Sequence, residues 1–376
     1  MNIALLEKTL NAVNALLRRK ILINCDRIPY EFQKVSYKKI LNWILVESSI
    51  YLKPDKPWGW PTHLQIEPSA VCNLNCAFCP VTTGLKRPTG HMDPATFERI
   101  INEVGDYLLL ILLWDWGEPF LNPSIYEMIA YAKTRKIKIV SSTNGHVFSR
   151  GNHAERLVQS GLDSIIFAVD GISQDTYKRY RHNGDLSKVT AGIKKVVAAK
   201  EAFGSETPLI NLRFIPMRHN EHEIPKLKEF ARSLGVNALS LKTLNPYEQG
   251  ECHSVEASGK EFVPKDSRYQ RFRCDPATGS RIRLEKNPCK RLWNNPAIHW
   301  NGSVSSCTFD PHARFALGNL NTRSFREIWW GSELGKLRSR FRKDYRNIPL
   351  CTDCTNAFEG GSCSTDIIPE ACFFGQ

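Results

Sequence analysis

The chain has 376 residues, 42% of them hydrophobic, enough to bury a sizeable core and suited to one large domain with a smaller one. Lys and Arg number 51 against 38 Asp and Glu, a net charge of +13, and the surface potential therefore favours anionic partners: phosphorylated metabolites, acidic peptides, nucleic acid or lipid headgroups. The longest uncharged apolar run, Tyr107 to Trp114, falls far short of the roughly 20 residues that span a bilayer, and no cleavable signal pattern opens the sequence; a cytoplasmic location with no transmembrane segment is expected.

Residues 1–58 read as a helical N-terminal extension. Ile3, Leu6, Leu10, Val13 and Leu17 share one helical face, with Arg18, Arg19 and Lys20 behind them. The stripe is expected to pack as a cap on the domain that follows; peripheral membrane contact through an interfacial helix is the competing reading. From 59 to 250, β-rich runs alternate with helical patterns, the arrangement of parallel β/α units. Strands are predicted at His63–Glu67, Leu108–Trp114, Ile137–Ser142, Ser164–Val169, Leu209–Ile215 and Ala238–Lys242. Amphipathic helices are predicted among them at Pro94–Val104, Pro123–Thr134, Leu186–Glu201 and Glu223–Leu234. Six units make the fold an α/β one, a partial (β/α)6 TIM-like barrel and not a closed eightfold one. Residues 251–286, with Arg268, Arg271, Arg273, Arg281 and Arg283, read as a basic, solvated connector. Residues 287–376 hold six of the twelve cysteines and read as a small iron–sulfur or other metal-dependent module.

Twelve cysteines in an intracellular chain point to metal ligation or redox work before disulfides, because cytosolic thiols are kept reduced. Cys72, Cys76 and Cys79 lie on one loop directly after the first strand, and in parallel barrels catalytic groups collect at the carboxyl ends of the strands. Three thiolates can hold three irons of a 4Fe–4S cube and leave the fourth open to a ligand. A zinc site is the structural alternative, but no fourth Cys or His follows at zinc-knuckle spacing.

The C-x3-C-x2-C run of Cys72, Cys76 and Cys79 ahead of a partial barrel resembles the radical S-adenosylmethionine superfamily, over Gly59 to about Leu244. The resemblance implies that the open iron chelates S-adenosyl-L-methionine, whose reductive cleavage yields a 5′-deoxyadenosyl radical that takes hydrogen from a substrate. It also implies a reducing electron donor such as flavodoxin or ferredoxin. Gly117-Glu118-Pro119 stands where the family carries an element that holds the cofactor's amino group. Ser142 and Asn144 carry groups suited to a ribose diol. Asp170 ends the fourth strand, and Arg181 stands where relatives face the cofactor carboxylate with an arginine.

Cys289, followed by Gly302 and Cys307, resembles the opening of the SPASM and twitch modules appended to many of these enzymes, and Cys351 and Cys354 supply two more thiolates. Four sulfurs leave no open iron, as expected of an auxiliary 4Fe–4S cluster that carries electrons. Cys363 and Cys372 stand apart, as candidate hydrogen donors or as small buried hydrophobes. The leading functional expectation is net oxidation of a small or medium-sized, anionic or hydroxylated substrate, with the auxiliary cluster as electron acceptor. A redox-neutral epimerase using a Cys donor and a peptide or protein maturase are the enzymatic alternatives. A non-catalytic iron–sulfur protein that binds nucleic acid is the remote one.

Overall fold

The chain begins with a helix α1 (Ile3–Arg18), a hairpin of β1 (Ile21–Cys25) and β2 (Ile28–Phe32), and a helix α2 (Tyr37–Leu52). The computed structural model describes residues 3–25, 28–245, 261–360 and 366–372, the side chains of 3–10 and 366–372 excepted. Six parallel strands follow: β3 (His63–Ile66), β4 (Leu110–Leu112), β5 (Lys138–Thr143), β6 (Ser164–Ala168), β7 (Leu209–Phe214) and β8 (Ala238–Leu241). The helices among them include α3 (Pro80–Thr83), α4 (Pro94–Val104), α5 (Ile125–Lys133), α6 (His153–Gln159), α7 (Gln174–Tyr180), α8 (Leu186–Ala202) and α9 (Leu227–Ser233). Their starts obey local chemistry. Asp93 accepts the Thr96 amide at 3.2 Å with Pro94 in the first turn of α4, and Asp185 accepts the Ser187 amide at 3.0 Å at the start of α8.

Both faces of this sheet are apolar, which is why the strands read as continuous hydrophobic runs. Ile111, Ile139, Ile165, Leu212 and Leu239 belong to the core beneath the helices. Leu110, Leu112, Val140 and Ile166 point the other way, into the barrel, and pack with Ile21, Ile23, Ile28, Tyr30 and Phe32 of the hairpin. The N-terminal segment therefore plugs the barrel. The hairpin adds to the largely helical reading of residues 1–58: β1 is a five-residue run whose outward residue Leu22 is also apolar, so its alternation does not show in the sequence. A correction concerns the apolar stripe of α1. Val13 and Leu17 are exposed, not packed, while Ile3, Leu6 and Leu10 have side chains outside the description.

The sheet does not stop at β3. Strand β9 (Ala297–Ile298) pairs with it in parallel, and β10 (Ser303–Ser305) and β11 (Ala316–Asn319) continue antiparallel, with Gly302 turning at φ 81°. At the far edge β12 (Asp366–Cys372) pairs antiparallel with β8. The helix Phe325–Trp329 starts in a capping box of Ser324 and Glu327. Trp293, Trp329 and Trp330 donate their indole N–H groups to the carbonyls of Pro54, Gly59 and Pro57 at 2.8, 2.9 and 2.7 Å, clamping the segment that leads into the barrel.

The basic connector is not the solvated link expected. Arg271 is buried and donates to the carbonyls of Leu244 and Thr243 at 3.0 and 2.5 Å, while Arg281 and Arg283 lie over the Phe358 ring and reach Asp353. Arg268 and Arg273 stay exposed. Among the described residues no helix is long and apolar enough to cross a membrane.

Candidate active site

Cys72, Cys76 and Cys79 lie where expected, on the loop between β3 and α3. Gly117 explains how the next strand end meets this loop. Its φ of +98° suits glycine, and a Cβ there would lie 2.4 Å from the Ser69 carbonyl oxygen, so only glycine permits the contact. The Glu118 amide then donates to the Val71 carbonyl at 2.8 Å, one residue before Cys72.

Glu118 is buried and holds two strand ends together. Its carboxylate accepts from the Thr143 hydroxyl at 2.8 Å, the Asn144 amide at 2.7 Å and the Phe120 amide at 3.2 Å. Burial pushes its pKa up to about 7 in spite of those donors. Asn144 in turn donates to Asn73 at 2.8 Å and towards the Cys72 sulfur at 3.8 Å. Ser142 lies half-buried on the inward face of β5, and Pro119 opens a short helical turn.

Asp170 spends its carboxylate on positioning. One oxygen accepts from Arg181 at 2.7 and 2.6 Å and the other from the Ile215 amide at 2.8 Å. So anchored, Arg181 reaches the Cys76 sulfur at 3.5 Å. Burial works against the guanidinium charge, but the Asp170 carboxylate and the Cys76 sulfur outweigh it and hold Arg181 charged.

The thiols fit an iron–sulfur group. Besides Arg181 and Asn144, the Leu74 amide aims at the Cys72 sulfur at 3.4 Å, the kind of donor set that stabilises thiolates bound to iron. Burial, the Glu118 charge and the neighbouring thiols push the Cys72 thiol up to about 12, against the Leu74 amide. In the second group Cys307 is buried and Cys289, Cys351 and Cys354 half-buried, and the Phe309 amide points at the Cys307 sulfur at 3.4 Å. Burial raises Cys351 and Cys307, and other thiols of the group raise them further. Cys363 lies outside the described residues, and Cys372 is on β12 with its side chain undescribed.

Between the two thiol groups runs a junction that sequence reasoning missed. At the end of β3, buried Glu67 accepts from Arg87 at 2.5 Å and from the Trp300 amide at 3.1 Å, with the buried His299 ring nitrogen 3.7 Å away. Arg87 also donates to the Pro311 carbonyl at 2.6 Å. Beyond β4, Asp115 accepts a hydrogen bond from the Thr308 hydroxyl, and its other oxygen is buried without a partner among the described residues. Trp116 donates to the Thr308 carbonyl at 3.3 Å. Thr308 follows Cys307, and Trp116 precedes Gly117.

Comparison with known proteins identifies this arrangement. The radical SAM superfamily model matches residues 66–237. Residues 66–237 therefore carry a radical SAM domain. Residues 289–355 match SPASM, an iron–sulfur cluster-binding domain. The chain's cofactors are accordingly S-adenosylmethionine, the 4Fe–4S cluster that binds it, and an auxiliary 4Fe–4S cluster. The chain is 25% identical over 318 residues to the tungsten-containing aldehyde ferredoxin oxidoreductase cofactor-modifying protein of Pyrococcus furiosus, covering 78% of the chain and 87% of the relative. It is 25% identical over 291 residues to the mycofactocin maturase MftC of Mycobacterium ulcerans, covering 73% and 76%. The crystal structure of Streptococcus suis SuiB bound to S-adenosylmethionine shares the fold, with a TM-score of 0.58 at 16% identity over 81% of this chain and 73% of that one.

Proposed function

We propose that this radical SAM protein oxidises a small or medium-sized, anionic or hydroxylated substrate at a carbon bearing hydrogen. The observation that carries the reading is the Trp116–Thr308 and Asp115–Thr308 junction, which fastens the loop after Cys307 to the loop that carries Gly117 and Glu118. Cys72, Cys76 and Cys79 would hold the cofactor-binding cluster, and Cys289, Cys307, Cys351 and Cys354 the auxiliary one. When bound, these groups supply reductive cleavage of S-adenosylmethionine at one end and uptake of a substrate electron at the other.

The chain's own residues position and exclude. Arg181, fixed by Asp170, would offer its guanidinium to the cofactor carboxylate, the Gly117–Pro119 loop would hold the amino group, and Ser142 and Asn144 would hydrogen-bond the ribose. Hydrogen abstraction leaves a carbon-centred substrate radical. Loss of one electron and of the hydroxyl proton from that radical gives a carbonyl, and Asp115 Oδ2, without a hydrogen-bond partner among the described residues, would receive the proton.

A peptide or protein maturase is the second reading, favoured by the likeness to a mycofactocin maturase over 73% of the chain. One experiment tests both. Anaerobically reconstituted, reduced protein is given S-adenosylmethionine with hydroxylated small molecules or with candidate precursor peptides. A product two hydrogens lighter, formed in step with 5′-deoxyadenosine, supports oxidation, whereas a product of unchanged mass and oxidation level overturns it.

A further inference from the structure

The barrel plug has an outer face that the radical chemistry does not use. Along α2, Tyr37, Leu41, Leu45, Ser48 and Leu52 recur at helical spacing on the side away from the buried Ile40, Val46 and Ile50. The four apolar members are 57%, 54%, 41% and 55% exposed. Leu17 at the end of α1 is 79% exposed and Leu22 on β1 61%. The Arg19 guanidinium lies 5.3 Å from the Tyr37 ring centroid and joins the end of α1 to the start of α2.

The rim is basic. Arg18, Lys34 and Lys56 are exposed around the stripe, and residues 1–58 carry ten Lys and Arg against five Asp and Glu. Trp58, 51% exposed, stands just beyond Lys56. Protein interfaces are depleted of Lys, whereas an apolar stripe with aromatic ends and a Lys/Arg border matches the boundary between acyl chains and anionic headgroups. We propose that the α1, hairpin and α2 face docks this protein on an anionic bilayer surface, its leucines entering the headgroup–acyl boundary and its lysines meeting lipid phosphates.

The test uses the full, reconstituted chain sedimented with phosphatidylcholine vesicles, with or without phosphatidylglycerol. Wild type is expected to pellet with the anionic vesicles, to stay in solution with phosphatidylcholine alone, and to dissociate as salt rises. Leu41→Glu with Leu45→Glu should weaken binding at least about tenfold, because two leucines leave the apolar layer. Lys34→Gln and Lys56→Gln should each cost about fivefold. All these variants should keep wild-type formation of 5′-deoxyadenosine. Absence of wild-type binding to anionic vesicles overturns the proposal, as does equal binding by the leucine variants. A wild-type dimer in light scattering that Leu41→Glu with Leu45→Glu dissolves would overturn it in favour of a second copy.

Discussion

The indole N–H of Trp116 donates to the carbonyl of Thr308 at 3.3 Å, fastening the residue before Gly117 to the residue after Cys307. Trp116→Phe keeps an aromatic ring there and removes the hydrogen bond. Cleavage of S-adenosylmethionine should persist, while oxidised product per 5′-deoxyadenosine should fall about fivefold, the effect of one ordinary hydrogen bond. Mass spectrometry of both products checks this, and an unchanged ratio would deny the junction a part in oxidation.

Asp115 sets a pH dependence. Its carboxyl is pushed from 3.8 up to about 7 by burial and by the Glu67 charge, against the opposing influence of His299, Thr308 and Arg87. Only the ionised form accepts a proton, and turnover should therefore fall as pH drops below about 7. Asp115→Asn should remove that limb and slow product formation by about a hundredfold or more. Linkage gives a second readout. A carboxyl whose pKa is raised by folding costs stability as pH rises from its unfolded value towards 7, so the Asn variant should melt higher than wild type at pH 8 and no higher at pH 4.

Iron content separates the thiol groups. Reconstituted wild type should hold about eight irons, and replacement of Cys72, Cys76 and Cys79 by Ala should leave about four and abolish cleavage. Single Ala variants of Cys289, Cys307, Cys351 and Cys354 should lose auxiliary iron in Mössbauer spectra. Iron loss on replacing Cys363 or Cys372, with none for Cys354, would reassign the ligands.

Arg181→Gln should raise KM for S-adenosylmethionine about tenfold to a hundredfold, the range for a hydrogen bond to a charged group. Because the same guanidinium donates to the Cys76 sulfur, the electron paramagnetic resonance of the reduced cluster should shift as well. An unchanged KM would return Arg181 to a purely structural partnership with Asp170.

Turnover in deuterium oxide distinguishes oxidation from inversion. A dehydrogenase gives a product two hydrogens lighter, whereas an epimerase returns solvent deuterium through an exchangeable thiol. Deuterated product at unchanged oxidation level, with the label lost in Cys363→Ala or Cys372→Ala, would name the donor and replace the oxidative reading.

The barrel strands are legible because burial on both faces leaves plain apolar runs such as Leu108–Leu113. The loop of Cys72, Cys76 and Cys79 is legible because its chemistry is local, three thiols within eight residues. Asp115 and Thr308 are 193 residues apart and ordinary in their surroundings, and only the docking of β9 on β3 brings them together. The hairpin escaped for another reason. Leu22 breaks the polar half of its alternation, and that same exposed leucine is what the bilayer proposal uses.

The pairing of β9 with β3 also bears on how the molecule can be cut. A fragment ending before Asn287 would strip β3 of its neighbour and leave a row of unsatisfied backbone donors and acceptors open to any passing strand. It would also free the segment of Pro54, Pro57 and Gly59 from three tryptophans. The small module is in this sense a selvedge, the finished border that keeps the woven sheet from unravelling into aggregates.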